Sequence, residues 1–393
     1  MKAEPTGSLD WICRLIEIDT TSRTSNLGLI ETVRDYLRRL GLATVLTYDR
    51  AGAKANLFCS IPDARERITG GVVLSGHTDT VPVDGQDWDT DPFKPTQRDG
   101  KLYGRGTADM KGFIGIVLAQ VPRLLQRRLS APVHLAFSFD EEVGCLGAPL
   151  MLQDLEQRGI APTGCIVGEP TSMQVVVSHK GFSAYRCKVV GQAAHSSLPS
   201  DGVNAIEHAA QLIAYIRAIS DEMGARGPFD AAYDVPHSTA QTSSVTGGGV
   251  VNTVPEFCQF EFTIRHLPEV EAESFFEQVE GQASKVVLPR MRTGSDDAGV
   301  GITFDRVVRV PGLEADEQAE FVRLIRRLAG DSETRKVAYG TEAGLFQQIG
   351  VPTLVCGPGD IRQAHRRNEY LSVDQIRRCE RFMEDLAQSL AHE

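Results

Sequence analysis

Hydrophobic residues along the chain follow two spacings, one typical of helices and one typical of short buried strands. A period of 3.6 residues predicts helices over residues 9–18 and 29–40, the second of which ends before Gly41. Strands are predicted for four short apolar runs, which are ANLFCSI (55–61), GGVVLSG (70–76), PVHLAFSF (132–139) and GCIVGEP (164–170). Strands separated by helices indicate βαβ units, and therefore an α/β fold with a mostly parallel sheet flanked by helices.

The pattern changes near Lys180. An alternating strand (182–191), an amphipathic helix (204–219), two further strands, a second helix (271–287) and a last strand (301–310) follow in turn. This β-α-β-β-α-β order is that of a ferredoxin-like α+β unit, and α/β patterning resumes after it. The sequence therefore predicts a discontinuous outer domain over 1–180 and 312–393, with a second domain inserted over 181–311.

Composition narrows the functional classes. The chain has 393 residues, of which 41% are hydrophobic and 24% charged, which excludes disordered and fibrous proteins. Its net charge of −11 argues against general nucleic-acid or membrane-surface binding. No basic leader precedes an apolar run, and no stretch of roughly 18 apolar residues occurs. Eight scattered cysteines are typical of reduced thiols, so we expect a cytoplasmic protein that binds neither nucleic acid nor membrane.

Histidines and carboxylates recur among small residues at predicted strand and loop ends. The segments are SGHTDTVP (75–82), GRGTADMKG (104–112), SFDEEVGCLGA (138–148), VGEPT (167–171) and GPGDIRQAH (357–365). A single histidine or glutamate pair of this kind is most often structural or solvated. Because ligands bind where parallel strands end, the five segments together could assemble a mononuclear or dinuclear metal site.

In this order and spacing, the five segments resemble those of the dinuclear-zinc amidohydrolases. That family includes aminoacylase, succinyl-diaminopimelate desuccinylase, carboxypeptidase G and acetylornithine deacetylase, and the resemblance covers essentially the whole chain. It implies a metal-dependent hydrolase of linear amides (EC 3.5.1) with two zinc ions per subunit, for which cobalt can substitute. The outer domain would be catalytic, and the inserted domain would be a lid that also forms a homodimer.

The resemblance also implies a role for each residue of the site. The metal ligands would be His77 and Glu169 for one ion, Glu142 and His365 for the other, and Asp109 as the bridge between them. Asp79 would accept a hydrogen bond from the His77 ring and orient it. Glu141 would be the general base, which takes a proton from water and returns it to the leaving amine.

Two segments of the inserted domain resemble parts of the family's lid. His195, in GQAAHSSLP, resembles a histidine that crosses the dimer interface and stabilises the oxyanion in the partner's site, although a loop or helix-cap histidine is the alternative. Asn252 and Arg265 resemble substrate-contacting residues. An arginine can hold the α-carboxylate of an amino acid through two parallel hydrogen bonds, but Arg265 could instead form a surface ion pair.

The substrate expectation depends on residues 338–370. YGTEAGLF, CGPG and QAH resemble acetylornithine deacetylases, which implies hydrolysis of N2-acetyl-L-ornithine to ornithine and acetate in arginine biosynthesis. Gly340, Thr341 and Glu342 would then contact the substrate, and Glu342 would favour a cationic side chain directly or through a neighbour. The pair Arg366-Arg367 departs from that pattern. It is either surface charge or a preference for a more acidic acyl group or side chain.

Other functions share most of this evidence. An N-succinyl-diaminopimelate desuccinylase or a broader N-acyl-amino-acid amidohydrolase would use the same metal ligands. A catalytically silent relative that binds a ligand would usually have lost a metal ligand or the base, whereas all of these residues are present here. Imidazole and carboxylate ligands accept zinc, cobalt or manganese, so the residues do not identify the metal.

Overall fold

The computed structural model describes residues 5–293 and 298–391, and the chain divides into two compact units. Unit 1 comprises the chain up to Ser178, Leu313–Lys336, and the chain from Thr341 onward, while unit 2 comprises His179–Gly312 and Val337–Gly340. Residues 337–340 were predicted to belong to the outer domain. They belong to unit 2 instead, because the Lys180 N–H donates to the Val337 carbonyl and the Arg265 guanidinium donates to the Ala338 carbonyl.

The helices of the described residues are α1 (Ser8–Ile16), α2 (Leu27–Arg39), α3 (Lys111–Gln126), α4 (Ala148–Gln157), α5 (Ala205–Arg226), α6 (Ala272–Gln282), α7 (Leu288–Thr293), α8 (Glu320–Ala329), α9 (Ala343–Gln348) and α10 (Val373–Ser389). Their strands are β1 (Thr44–Tyr48), β2 (Ala55–Ile61), β3 (Val72–His77), β4 (Thr96–Arg98), β5 (Lys101–Tyr103), β6 (Val133–Ser138), β7 (Gly164–Val167), β8 (Ser178–His179), β9 (Gly181–Val190), β10 (Ala194–His195), β11 (Thr239–Gly247), β12 (Thr253–Val254), β13 (Phe257–His266), β14 (Gly301–Val310), β15 (Leu313–Glu314), β16 (Lys336–Val337), β17 (Thr353–Val355) and β18 (Tyr370–Ser372). None of these helices is long and apolar enough to cross a bilayer.

The main sheet of unit 1 has the strand order β1-β2-β6-β3-β7-β17. The pairs β6–β3, β3–β7 and β7–β17 are parallel, whereas β1–β2 and β2–β6 are antiparallel. β3, β6 and β7 are buried along their whole length, as their continuous apolar runs require of strands covered on both faces. The predicted α/β fold is confirmed, with antiparallel pairs at one edge of the sheet.

Helices α1, α3 and α10 pack together in the core of unit 1. Apolar side chains lie on nearly every face of α3, which explains why this helix is buried almost throughout. α10 begins where the Ser372 hydroxyl accepts the N–H of Gln375, a cap that satisfies one of the free donors of its first turn.

Unit 2 is built on an antiparallel sheet of order β11-β13-β9-β14, and the elements follow one another as β-α-β-β-α-β. β9 and β13 alternate between buried and partly exposed residues, and one face of the sheet packs against α5 and, through the stacked rings of Tyr185 and Phe276, against α6. α5 begins at Asn204, whose side chain accepts the N–H groups of Ile206 and Glu207. The helix predicted over 271–287 divides into α6 and a π-helical turn, Ala283–Val287, which leads into α7.

Candidate metal centre

Three neighbouring strands of unit 1 end at one edge of the main sheet, and residues of the predicted site follow each of them. β3 ends at His77, which is in register with Ser138, the last residue of β6. β7 pairs with the other side of β3, and Glu169 follows its last residue by two positions. Because parallel strands present their carboxyl ends at the same edge, His77, Glu169 and the segment 140–142 converge.

Asp109 lies between the two histidines of the site. Its Oδ1 is 2.9 Å from Nε2 of His77, and its Oδ2 is 3.3 Å from Nε2 of His365. Nε2 of His77 is also 3.7 Å from Oε1 of Glu169, while Nε2 of His365 is 2.9 Å from Oε2 of Glu142. The five side chains form two clusters that share Asp109.

The loop that carries Asp109 is closely packed and anchored. A Cβ on Gly112, in the first turn of α3, would lie 2.1 Å from the backbone oxygen of Thr107 in this loop, so no larger residue fits there. The Asp109-Met110 peptide bond is cis. Glu369 accepts the N–H groups of Ala108 (2.8 Å) and Asp109 (3.1 Å). The sequence pattern gives no sign of this role for Glu369, apart from its position four residues after His365.

Asp79 contacts two parts of the site. Nδ1 of His77 lies 3.0 Å from the backbone oxygen of Asp79 and 3.4 Å from its Oδ1. The same carboxylate accepts the N–H groups of Glu141 (3.1 Å) and Glu142 (3.3 Å) and the hydroxyl of Ser22 (2.8 Å). Asp79 therefore holds the histidine ring and also the segment that carries Glu141, and only the first contact was predicted.

Glu141 lies beside the clusters, with a carboxylate oxygen within 4.8 Å of a ligand atom of His77 and of Glu169. Burial raises the pKa of Glu141 to about 8; the neighbouring carboxylates Glu142 and Asp109 add to the increase, and His77 opposes it. A carboxyl group with a pKa near neutral can both accept a proton and return it.

The histidines are held strongly in their protonated form. Hydrogen bonds to Asp109 and Glu142 raise the pKa of His365 to about 10. Burial alone would lower the pKa of His77, but its hydrogen bonds to Asp109 and Asp79 raise it well above its usual value. In this cluster protons therefore balance part of the carboxylate charge, and a divalent cation could replace them.

The carboxylates of the clusters also fit metal coordination. Burial raises the pKa of Glu169 well above its usual value; the neighbouring Asp109 carboxylate adds to the increase, and His77 opposes it. Oε1 of Glu142 is buried and has no hydrogen-bond partner within 5–293 and 298–391. Histidine nitrogen and carboxylate oxygen are ligands that zinc, cobalt and manganese accept. The residues present thus fit divalent metal ions.

The predicted substrate segment divides between the two units. Gly340 belongs to unit 2, whereas Thr341 and Glu342 are buried in unit 1. Both oxygens of Glu342 accept hydroxyl groups at the main sheet, Oε1 from Ser75 (2.7 Å) and Oε2 from Ser138 (2.6 Å). Burial raises the pKa of Glu342. Because Glu342 is fully buried, an effect through the serines agrees better with the geometry than a direct contact with a substrate.

His195 and Asn252 are neighbours in unit 2. His195 is exposed at the end of β10, with its Nδ1 2.7 Å from the Ser197 hydroxyl. β10 pairs with β12, and the backbone oxygen of Asn252 accepts the N–H of Ser196. The two predicted lid residues are therefore exposed neighbours, because His195 ends β10 and Asn252 directly precedes β12.

Two cations of unit 2 form no ion pair with a carboxylate of the described chain. The Arg265 guanidinium lies 4.7 Å from the centre of the Phe182 ring and donates to the Ala338 carbonyl at 3.5 Å. The buried Lys180 ammonium donates to the carbonyl of His237. Burial lowers the pKa of both cations. Lys180 was not among the predicted site residues, and its only signal in the sequence is its position at the change of pattern.

The chain is similar to known enzymes over most of its length. A model of Peptidase family M20/M25/M40 matches residues 73–389. An acetylornithine deacetylase from Pasteurella multocida (strain Pm70) is 36% identical over 360 residues, which are 91% of this chain and 90% of that protein. An acetylornithine deacetylase from Shigella sonnei (strain Ss046) is 35% identical over 355 residues, which are 90% and 88% of the two chains.

Solved structures agree on the fold. A tripeptidase from Staphylococcus aureus superposes with a TM-score of 0.72 at 21% identity and covers 98% of both chains. An M20 family metallo-carboxypeptidase from Sulfolobus solfataricus gives a TM-score of 0.74 at 16% identity, covering 97% of this chain and 98% of that one. The family match and the two relatives show that the chain belongs to peptidase family M20/M25/M40 and is a metal-dependent amidohydrolase.

Proposed function

We propose that this enzyme hydrolyses N2-acetyl-L-ornithine to L-ornithine and acetate, as a step of arginine biosynthesis, with two zinc ions per subunit. The observation that carries the proposal is the position of Asp109, whose two oxygens face the Nε2 atoms of His77 and His365. The names of the two curated relatives and the YGTEAGLF segment support the choice of substrate.

The proposed ligands are His77 and Glu169 for one ion, Glu142 and His365 for the other, and Asp109 for both. Zinc ions there would act as Lewis acids that lower the pKa of a water molecule and polarise the amide carbonyl. Because each Asp109 oxygen faces a different histidine, one carboxylate can serve both positions. The Oε1 atom of Glu142, which has no hydrogen-bond partner in the described part of the chain, would supply a further oxygen to the His365 side.

Glu141 moves the proton in the proposed reaction. Its carboxylate accepts a proton from the attacking water and then donates it to the nitrogen of the leaving amine, so that the amide bond breaks without releasing an amide anion. The contact between Asp79 and the Glu141 backbone N–H holds the base in place. Asp79 is therefore a positioning residue for the base as well as for His77.

The proposed assembly is a homodimer formed through unit 2, in which His195 serves the partner's site. A donor aimed at a developing oxyanion is typically worth about 10²–10³ in rate. Exposed apolar side chains near His195 support this arrangement, since Leu198, Val250 and Val251 are 54%, 68% and 101% exposed. A second copy would bury such a patch.

Arg265 and Lys180 are the proposed holders of the substrate α-carboxylate, with Asn252 as a further contact. Both cations lack a carboxylate partner in the described chain, and an anionic substrate group would offset the desolvation that lowers their pKa values. Glu342 is proposed to favour a cationic side chain through Ser75 and Ser138. If Glu342→Gln leaves the preference for acetylornithine over N-acetyl-methionine unchanged, this role is refuted.

A desuccinylase is the second candidate, favoured by two arginines beside His365. Arg366 and Arg367 are exposed and line a polar cleft of about 580 Å³ together with Gly85, Gln86, Asp87 and Gln363. Neither arginine forms an ion pair with a carboxylate of the described residues, so the cleft could accept the distal carboxylate of a succinyl group.

The oxidation state of the eight cysteines is relevant to the cellular compartment in which the enzyme works. All are free, and seven of them are buried. Unpaired thiols are typical of a reducing environment, which supports the proposal that the enzyme works in the cytoplasm.

The test is amine release from N2-acetyl-L-ornithine, N-succinyl-diaminopimelate and N-acetyl-methionine at equal concentration by zinc- or cobalt-loaded enzyme. We expect the highest kcat/KM for acetylornithine and about two bound metals by mass spectrometry. A preference for the succinyl substrate would move the assignment to the second candidate. Two bound metals with no activity on any substrate would support a catalytically silent relative, and a metal content unchanged in His77→Ala would refute the site itself.

A further inference from the structure

The two histidines of the site differ in how the fold holds them. His77 is buried at the end of a central strand. His365 lies outside helices and strands, its side chain is 54% exposed, and its φ of +61° is in the left-handed region. That region is unfavourable for residues other than glycine unless surrounding contacts stabilise it. The position of His365 must therefore be maintained from outside its own segment.

Gln86 supplies such a contact. Its Nε2 donates to the backbone oxygen of His365 at 3.0 Å. Its Oε1 accepts from Nη2 of Arg105 at 2.8 Å and from Nε1 of Trp88 at 3.0 Å. Arginine and tryptophan side chains can only donate, so these two contacts require the amide oxygen. The amide nitrogen must then face His365, and the orientation of Gln86 is determined by its partners.

The same contacts continue to the other metal loop. Arg105 and Glu369 form an ion pair at 2.6 Å, and both side chains are buried. Glu369 in turn accepts the backbone N–H of Asp109. An uninterrupted series of contacts thus joins the His365 backbone to the Asp109 backbone, through Gln86, Arg105 and Glu369. His77 makes no hydrogen bond to any of these three side chains.

We propose that Gln86 is a positioning residue that sets the distance between His365 and Asp109. Its loss weakens the metal position formed by His365, Glu142 and Asp109, and leaves the position of His77 and Glu169 intact. The inference rests on the two-metal site proposed above. Partners that orient metal ligands typically contribute about 10–100-fold in metal affinity.

The test compares Gln86→Glu with Gln363→Glu. The first change keeps the oxygen that faces Arg105 and Trp88 but replaces the N–H donor that faces the His365 carbonyl. The second change adds the same charge to the same cleft, and no side-chain hydrogen bond of Gln363 occurs within the described residues. Zn²⁺ binding to the metal-free proteins is followed by calorimetry with a competing chelator, and thermal unfolding verifies that each variant is folded.

We expect wild type and Gln363→Glu each to bind two ions. The affinity for the first ion and the affinity for the second ion should each be the same in both proteins. Gln86→Glu should bind the first ion as wild type does and the second about 10–100-fold more weakly. Gln86→Leu removes the contact with His365 and also the contacts with Arg105 and Trp88. It should lose Zn²⁺ binding at the same metal position. An unchanged second affinity in both Gln86 variants, or an equal loss at both positions, overturns the inference. Fewer than two ions bound by wild type overturns the two-metal site, and the inference with it.

Discussion

Replacing Asp79 by asparagine tests how far one carboxylate holds the site together. Its Oδ2 accepts the Ser22 hydroxyl and the Glu142 N–H, and its Oδ1 accepts the Glu141 N–H and faces the His77 ring. An asparagine is best placed with its oxygen at the Oδ1 position, because the serine hydroxyl can turn and accept from the new amide. The Glu142 N–H then faces the NH₂ group of the new asparagine and has lost its acceptor.

The magnitude follows from these contacts. A buried donor without a partner costs about 1–3 kcal/mol, and hydrogen bonds to a charged group contribute about 1.5–3 kcal/mol each. The asparagine variant loses the hydrogen bond to the Glu142 N–H, and its contacts with Ser22, Glu141 and His77 no longer involve a charged group. The free energy of unfolding of the metal-free protein should therefore fall by about 2–4 kcal/mol. The pKa of His77 should fall as well, because Asp79 raises it. Zinc affinity should drop about 10–100-fold as ring orientation and basicity are lost.

Denaturant unfolding of the metal-free protein and chelator competition for zinc measure the two effects. Asp84→Asn is the matched control, since the one side-chain contact of Asp84 among the described residues is an exposed ion pair with Arg23. Exposed pairs typically contribute about 0.2–1 kcal/mol. If Asp79→Asn unfolds within the range of the control and binds zinc as wild type does, Asp79 does not hold the site as argued.

Three further outcomes follow from the same geometry. Glu141→Gln should keep both metals by mass spectrometry and lose about 10²–10⁴ in kcat, and retained activity would exclude Glu141 as the base. Metal binding at pH 7.5 should release protons, because the raised pKa of His365 keeps its ring charged without metal and a ligand must be neutral. Calorimetry in buffers of different ionisation enthalpy measures that release, and metal affinity should fall as the pH is lowered from 8 to 6. Mixed dimers of Glu141→Ala and His195→Ala chains should regain part of the activity, whereas verified heterodimers without activity would contradict the crossed arrangement.

The fold could be predicted largely from the spacing of apolar residues. The run 55–61 coincides with β2 and the run 301–310 with β14, because each is an apolar or alternating segment bounded by turn residues. The antiparallel pairing of β2 with β6 could not be predicted, since both strands are buried and buried strands carry the same pattern in either direction. The π-helical turn after α6 also leaves no periodic signal.

The candidate site also has one part that the sequence predicts and another part that it does not. Short motifs place His77, Asp109 and Glu169 at strand and loop ends, where a fold of this class brings side chains together, and their roles stay predictions. The contacts that hold the motifs in place join distant parts of the chain. Gln86 and His365 are separated by 279 residues, and Glu369 and Asp109 by 260. Side chains that bind a remote backbone are not confined to one spacing, so a single sequence does not reveal them.

The charge balance of the site links metal binding to the stability of the fold. Burial raises the pKa values of Glu141, Glu142 and Glu169, whereas the adjacent histidines lower those of Asp79 and Asp109. Without metal, the site therefore depends on protons, most evidently at His365. In the proposed site a divalent ion would take over that role only in the folded chain, because the proposed ligands come from segments far apart in sequence. Binding at 1,000 times the dissociation constant adds about 4.1 kcal/mol to the free energy of unfolding. The increase in melting temperature on adding metal should therefore be largest at a pH where the site histidines of the metal-free protein have begun to lose their protons.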